Sequence, residues 1–279
     1  MIKITDLTYC YNNSRAEALS HVDTTIGPGI HLLLGENGAG KTTLLSLIGG
    51  WLKARPATAV EIDGIPTANR EPSVMSQTFM LTDDTVFPFN SIRQMVEYHT
   101  PFYPGFSWET LTECMKAFGL SIDQRIDTYS LGNRKKAMLS YALALHTDVL
   151  LLDEPTNGLD ITSRHTLLEL MARFCDPEQT VIVSTHTVMD LKNLFESVLV
   201  LAGSRLVLSS SIADIESKVA FIAANEPHPQ ALYTLTSLGR LEMIVPAAVA
   251  GRPSQVDFTL LFNALQSPSR AELLRILNS

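Results

Sequence analysis

Residues 35–42 read Gly-Glu-Asn-Gly-Ala-Gly-Lys-Thr. Gly35, Gly38 and Gly40 let a backbone turn with its amides facing inward and leave no side chain in the way of a close approach. That is the chemistry of phosphate capture, with the main chain of Glu36, Asn37 and Ala39 completing the loop. Lys41 would reach the β- and γ-phosphates of a nucleotide, Thr42 a magnesium ion, and Thr43 the α-phosphate region. A second acidic element, Asp153-Glu154, lies 153 − 41 = 112 residues beyond the lysine, behind the apolar run Val149-Leu150-Leu151-Leu152. At the mouth of a buried strand Asp153 can hold magnesium, directly or through water. Glu154 stands one residue further on and can polarise an attacking water as a general base. The two elements together predict a nucleotide-triphosphate-handling protein.

Placing these groups requires a strand, the loop, then a helix. Ile30 to Leu34 is a short apolar run leading into the loop, and Thr42 to Leu52 has the spacing of a buried helix. Upstream, Ile2 to Leu7 and Ala18 to Ile26 read as strands, the second closed by Gly27-Pro28-Gly29. From Ser91 to Leu145 the pattern is helical, with breaks at Pro101, Pro104-Gly105 and Ser130 to Gly132. Strand-type runs return at Val149–Leu152, Val181–Ser184, Val198–Leu201 and Arg205–Leu208, the last pair flanking a Gly203-Ser204 hairpin signal. Buried strands alternating with helices predict a parallel α/β core. Near Ser217 the alternation fades, and residues 217–279 read as a small separate lobe.

Composition narrows the use of the nucleotide. Lys and Arg total 21 against 29 Asp and Glu, a net charge of −8, which lacks the basic footprint of a nucleic-acid binder. Cys10, Cys114 and Cys175 are odd in number and lack metal-ligand spacing, so they read as reduced thiols. The N-terminal residues show no signal pattern. No apolar stretch approaches the ~20 residues that span a bilayer, so a membrane role requires a partner.

Leu152-Asp153-Glu154-Pro155-Thr156-Asn157-Gly158-Leu159-Asp160 resembles the Walker B and D-loop stretch of ABC ATPases. Ser184-Thr185-His186 resembles their switch-histidine motif, which implies a γ-phosphate contact for His186. Gln77, after a strand-like Ser73–Ser76, fits their Q-loop glutamine, a nucleotide and metal contact. Tyr11 fits the aromatic that stacks on adenine, with Tyr9 as the alternative. Ser130-Leu131-Gly132-Asn133 occupies the place of the signature loop, usually Leu-Ser-Gly-Gly-Gln, and keeps the serine and second glycine that touch the γ-phosphate. Leu131 is the departure, standing where glycine-like backbone freedom is usual. The resemblance implies a P-loop NTPase ABC ATPase fold: a RecA-like core, an antiparallel β subdomain and an α-helical subdomain, plus a small C-terminal lobe. The implied boundaries are 1–216 for the ATPase domain, with helices about 85–145, and 217–279 for an accessory region.

In that family Ser130, Gly132 and Asp160 would complete the site of a second chain. The implied arrangement is a dimer, with itself or with a second ABC ATPase subunit, using ATP and Mg2+. It would dock on separately encoded transmembrane permease subunits at the inner, cytoplasmic face of the membrane and more readily serve an exporter. Aromatics crowd residues 79–108 (Phe79, Phe87, Phe89, Tyr98, Phe102, Tyr103, Phe106, Trp108), suited either to a permease groove or to the helical subdomain's own core. The alternative is a soluble ABC ATPase acting on ribosomes or DNA. A single cassette and the short gap between the two Walker motifs count against it.

Overall fold

The computed structural model describes residues 1–12, 16–84, 89–186, 194–237, 240–251 and 253–278. β1 (Ile2–Cys10) and β2 (Glu17–Ile26) pair antiparallel, their buried residues Ile2, Ile4, Leu7, Leu19, Val22 and Ile26 forming one apolar face. β1 runs past Leu7 because Tyr9 and Cys10 still find partners in Leu19 and Glu17. β3 (Gly29–Gly35) leads into the glycine loop, and α1 (Lys41–Ile48) leaves it. α1 stops before Leu52 at Gly49-Gly50, where Gly50 adopts φ +71°. β4 (Val60–Ile62) and β5 (Ile65–Pro66) join the first sheet, in the order β2-β1-β4-β5.

After the short α2 (Pro72–Met75) comes β6 (Thr78–Leu81), then α3 (Ile92–His99), α4 (Trp108–Ala117) and α5 (Leu131–Ala144). β7 (Val149–Asp153), α6 (Ile161–Phe174), β8 (Thr180–Thr185), β9 (Ser197–Ala202) and β10 (Arg205–Ser211) complete the main body. The central sheet has the order β10-β9-β3-β8-β7-β6 and is parallel except at β10. Its near-continuous apolar strands are what burial on both faces demands. The carboxyl ends of β3, β8 and β7 are therefore neighbours, the edge at which open α/β sheets hold ligands.

Beyond α7 (Ile212–Lys218) the chain forms β11 (Val219–Ala224), β12 (Tyr233–Ser237) and β13 (Arg240–Pro246), an antiparallel sheet in the order β11-β13-β12. α8 (Ala247–Ala250), α9 (Phe258–Gln266) and α10 (Arg270–Leu277) follow. This C-terminal part shares the main core: Phe258 meets Phe195 edge-on at 6.3 Å, and Lys218 Nζ donates to the Leu277 carbonyl at 2.7 Å.

The aromatic run divides. Phe79, Tyr103 and Phe106 pack with Tyr141 inside the helical layer, while Tyr98, Phe102 and Trp108 are exposed; Phe87 lies outside the described residues.

Candidate active site

The phosphate loop is locked to its surroundings by close approach. Gly40 holds φ +103°, and a methyl group there would lie 2.5 Å from the Ala18 carbonyl oxygen and 2.8 Å from Leu19 Cδ2 of β2. Gly38 holds φ +83° with nothing near its missing side chain. These conformations suit only glycine. The loop opens into a cleft of about 320 Å³ lined by Tyr11, Asn37, Lys41, Thr42, Asp153 and Glu154, among others. Lys41 is 6% exposed, and its ammonium donates to the carbonyls of Gly35 (2.7 Å) and Glu36 (3.3 Å). It also lies 3.5 Å from Glu154 Oε1.

Thr42 Oγ1 donates to Asp153 Oδ2 at 2.6 Å, and the Ser184 hydroxyl donates to Asp153 Oδ1. A hydroxyl and a carboxylate, both hard oxygens, thus face each other at the loop, the donor chemistry that suits Mg2+. Glu154 takes φ +48°, unusual for a residue with a side chain, and its N–H donates to the Ser184 carbonyl at 3.0 Å. Its Oε1 sits 2.9 Å from His186 Nδ1. A strained backbone at a carboxylate that is half enclosed by Lys41 and His186 is the kind of outlier found at catalytic sites. The Tyr11 hydroxyl bonds Thr43 Oγ1 at 3.0 Å, while Tyr9 stands edge-on to its ring at 5.2 Å.

The family comparisons agree with this geometry. Residues 19–157 match the ABC transporter family. The ABC transporter ATP-binding protein NatA of Bacillus subtilis (strain 168) is 26% identical over 225 residues, covering 77% of this chain and 91% of that protein. The chain carries an ABC transporter ATP-binding domain. The daunorubicin/doxorubicin resistance ATP-binding protein DrrA of Streptomyces peucetius is 26% identical over 230 residues, 78% of this chain and 67% of that one. The thiamine import ATP-binding protein ThiQ of Escherichia coli O157:H7 is 27% identical over 235 residues, 80% and 97% of the two chains.

Solved structures share the ABC ATPase fold. A structure titled as a cobalt transport ATP-binding protein superposes with a TM-score of 0.64 at 22% identity, covering 98% of this chain and all 100% of that one. A dimeric ATP-binding cassette in a post-hydrolysis state, bound to ADP and Pi, gives 0.62 at 24% identity over 76% of this chain and 98% of its own. The domain is that of an ABC ATPase, and the relatives it matches are ATP-binding proteins of ABC transporters.

One residue assigned to the ABC ATPase site is displaced from it. Ser73–Ser76 is not a strand; it falls mostly in α2, and Gln77 precedes β6. The Gln77 N–H donates to Val74 and its carbonyl receives the Val149 N–H, both at the amino ends of the strands. Since Leu81 pairs with Leu152, the residue level with Asp153 is Thr82. Five residues of strand at ~3.3 Å each put Gln77 about 16 Å from that end, so it holds neither nucleotide nor metal. The readable signal was the apolar run Phe79-Met80-Leu81 ending at Thr82-Asp83.

Ser130, Gly132 and Asp160 lie apart from the phosphate cleft. Ser130 and Asp160 are the N-caps of α5 and α6, accepting from the Asn133 N–H at 3.2 Å and the Ser163 N–H at 2.8 Å. The bonds from Ser163, with Lys136 beside them, hold the Asp160 carboxyl at about 2. Leu131 needs no glycine-like freedom, because it starts α5 with a negative φ. A second cavity of about 700 Å³ lies beside this helix start, between Gly132, Lys135, Asp83 and Asn157. The sequence reading missed Asp83 and Lys135 as site neighbours, and gave Ser184 no contact of its own. Burial raises the Asp83 carboxyl, but hydrogen bonds from Lys135 and Asn157 outweigh it and leave the group below the usual carboxylate range.

Proposed function

We propose that this subunit drives export through separately encoded permease subunits, working as a dimer bound to them at the cytoplasmic face of the membrane. None of the described helices is long and apolar enough to cross a membrane, so attachment through permeases is the reading that accounts for transport. Residues 1–216 carry the ATPase chemistry in this proposal, and 217–279 are an accessory region. The direction rests on the variant signature Ser130-Leu131-Gly132-Asn133 and on the likeness to DrrA; the likeness to ThiQ keeps import as the second reading. The acidic balance of −8 argues against ribosomes or DNA as the target.

Glu154 between His186 and Lys41 is the observation that carries the mechanism. Lys41 leaves the carbonyls of Gly35 and Glu36 for the β- and γ-phosphates of ATP, which takes the ammonium away from Glu154 Oε1. Glu154 then takes a proton from the attacking water, while His186 holds the carboxylate and lies close to the γ-phosphate. Thr42 and Asp153 would hold Mg2+, which supplies charge neutralisation across the phosphates. Tyr11 offers its ring to adenine. Ser130 and Gly132 of a second copy, at the positive end of α5, close over the γ-phosphate, with Asp160 beside them.

Glu154→Gln tests this reading. It keeps every phosphate contact and removes the base, so turnover should fall on the order of 10²–10⁴-fold. ATP affinity by calorimetry should persist, and an ATP-bound dimer should accumulate on size exclusion. Wild-type turnover removes Glu154 from the role of base.

A further inference from the structure

We propose that Lys135 is a positioning residue for hydrolysis, fixing the main chain of Glu154 by donating to its carbonyl oxygen. The proposal rests on Glu154 being the base. The Lys135 ammonium reaches that oxygen at 2.7 Å, from the second turn of α5. The same carbonyl also accepts the Asn157 N–H at 3.2 Å. On its other side the Glu154 peptide is held by β8, through the Ser184 carbonyl at 3.0 Å. The left-handed residue is thus clamped at both peptide groups, and the α5 side of the clamp is a side chain.

Lys135 is only 12% exposed, so its charge needs a fixed anion. Asp83 supplies it, pairing with the ammonium while its other oxygen accepts Asn157 Nδ2 at 3.3 Å. Lys135, Asp83, Asn157 and the Glu154 carbonyl therefore close a ring of bonds. It ties α5 to the segment after β6 and to the turn after β7. Neither Lys135 nor Asp83 lines the phosphate cleft, so any effect on chemistry passes through Glu154. An ion pair on the surface would leave the base unmoved; this one ends on the base's own backbone. A shift of α5 or of residues 82–84 is thereby converted into a shift of the carboxylate.

Lys135→Met keeps the apolar stem and deletes the donor. We expect kcat for ATP to fall at least about 10-fold with KM changed less than about 3-fold, because a misplaced base costs rate more than binding. ATP-dependent dimerisation should remain, and Lys135→Arg should recover most of the lost kcat. Unchanged kcat, loss of the ATP-dependent dimer, or an arginine variant no better than methionine overturns the proposal. If the methionine variant does not fold, Asp83→Asn loosens the ammonium while leaving an acceptor; kcat should fall with KM constant, and an unaltered kcat overturns the idea. Glu154→Gln, assayed alongside, separates the two readings. A dead Glu154→Gln with a fully active Lys135→Met rejects only the role of Lys135; an active Glu154→Gln rejects the base.

Discussion

Alanine at Gly40 and at Gly38 should fail in different ways, by an amount the loop geometry sets. Both glycines sit at positive φ, +103° and +83°, so either alanine stores backbone strain of about 1–2 kcal/mol. At Gly38 nothing lies within 4 Å of the new methyl, and strain is the whole cost to the fold. At Gly40 the methyl meets the Ala18 carbonyl at 2.5 Å and Leu19 Cδ2 at 2.8 Å. Leu19 is fully buried and paired with Tyr9 across the sheet, so β2 cannot give way cheaply. Overpacking of that kind costs roughly 1–3 kcal/mol more. At about 2–4 °C per kcal/mol for a chain near this size, Gly40→Ala should melt about 2–12 °C below Gly38→Ala without nucleotide. Both should lose ATP affinity, since both positions line the cleft. Thermal melts of the two nucleotide-free variants make the comparison. Equal melting temperatures would refute the contact between the loop and β2.

Gln77→Ala should leave ATP affinity and turnover within about 2-fold of wild type, because its residue belongs to the amino end of β6; a large loss of turnover returns it to the site. Leu131→Gly removes an 83% exposed side chain from the start of α5, so the melting temperature should stay within about 4 °C, as a helical glycine costs about 1 kcal/mol. Its ATPase rate should rise if the leucine obstructs closure; an unchanged rate shows the variant signature to be competent. Asp160 is held at about 2, below its usual 3.8, so its support of the fold is complete above pH 4 and is lost as pH falls toward 2. Asp160→Asn can still cap α6 but does not titrate. The drop in melting temperature between pH 5 and pH 2.5 should therefore be smaller than in wild type.

The chemistry was legible where it is local. Gly35 to Thr43 and Asp153-Glu154 could be placed from sequence because a glycine loop between strand and helix, and an acid behind four aliphatic residues, each need only their neighbours. His186 needed only to follow β8. The Gln77 assignment failed because it depended on where a strand begins. Ser73–Ser76 holds the apolar pair Val74-Met75, yet Pro72 at the start of a helix fits that stretch better, and pairing of Leu81 with Leu152 fixed the true register. Lys135 and Asp83 could not be read at all. They are 52 residues apart and meet only because α5 lies beside the carboxyl end of β6. The sheet β11-β13-β12 was missed for a related reason: β11 and β13 bury consecutive residues, Val219-Ala220 and Met243-Ile244-Val245, on both faces, so neither alternates.

The burial pattern supports the proposed second copy as well as the motifs do. Ser130 and Asp160 already spend their acceptors capping their own helices, so each presents a helix start to the outside. Beside them Leu131 is 83% exposed and Ile161 70% exposed, large apolar side chains at the first turns of α5 and α6. The two starts lie together, the Lys136 ammonium of α5 reaching Asp160 Oδ2 at 3.3 Å. A single exposed leucine means little, but a leucine and an isoleucine at neighbouring helix starts leave apolar side chains beside two helix N-termini. An isolated chain gains nothing from such a face. A second copy bringing a nucleotide's γ-phosphate would satisfy both features at once. Lys135, four residues along α5 from that face, would then register closure at the carbonyl of the base.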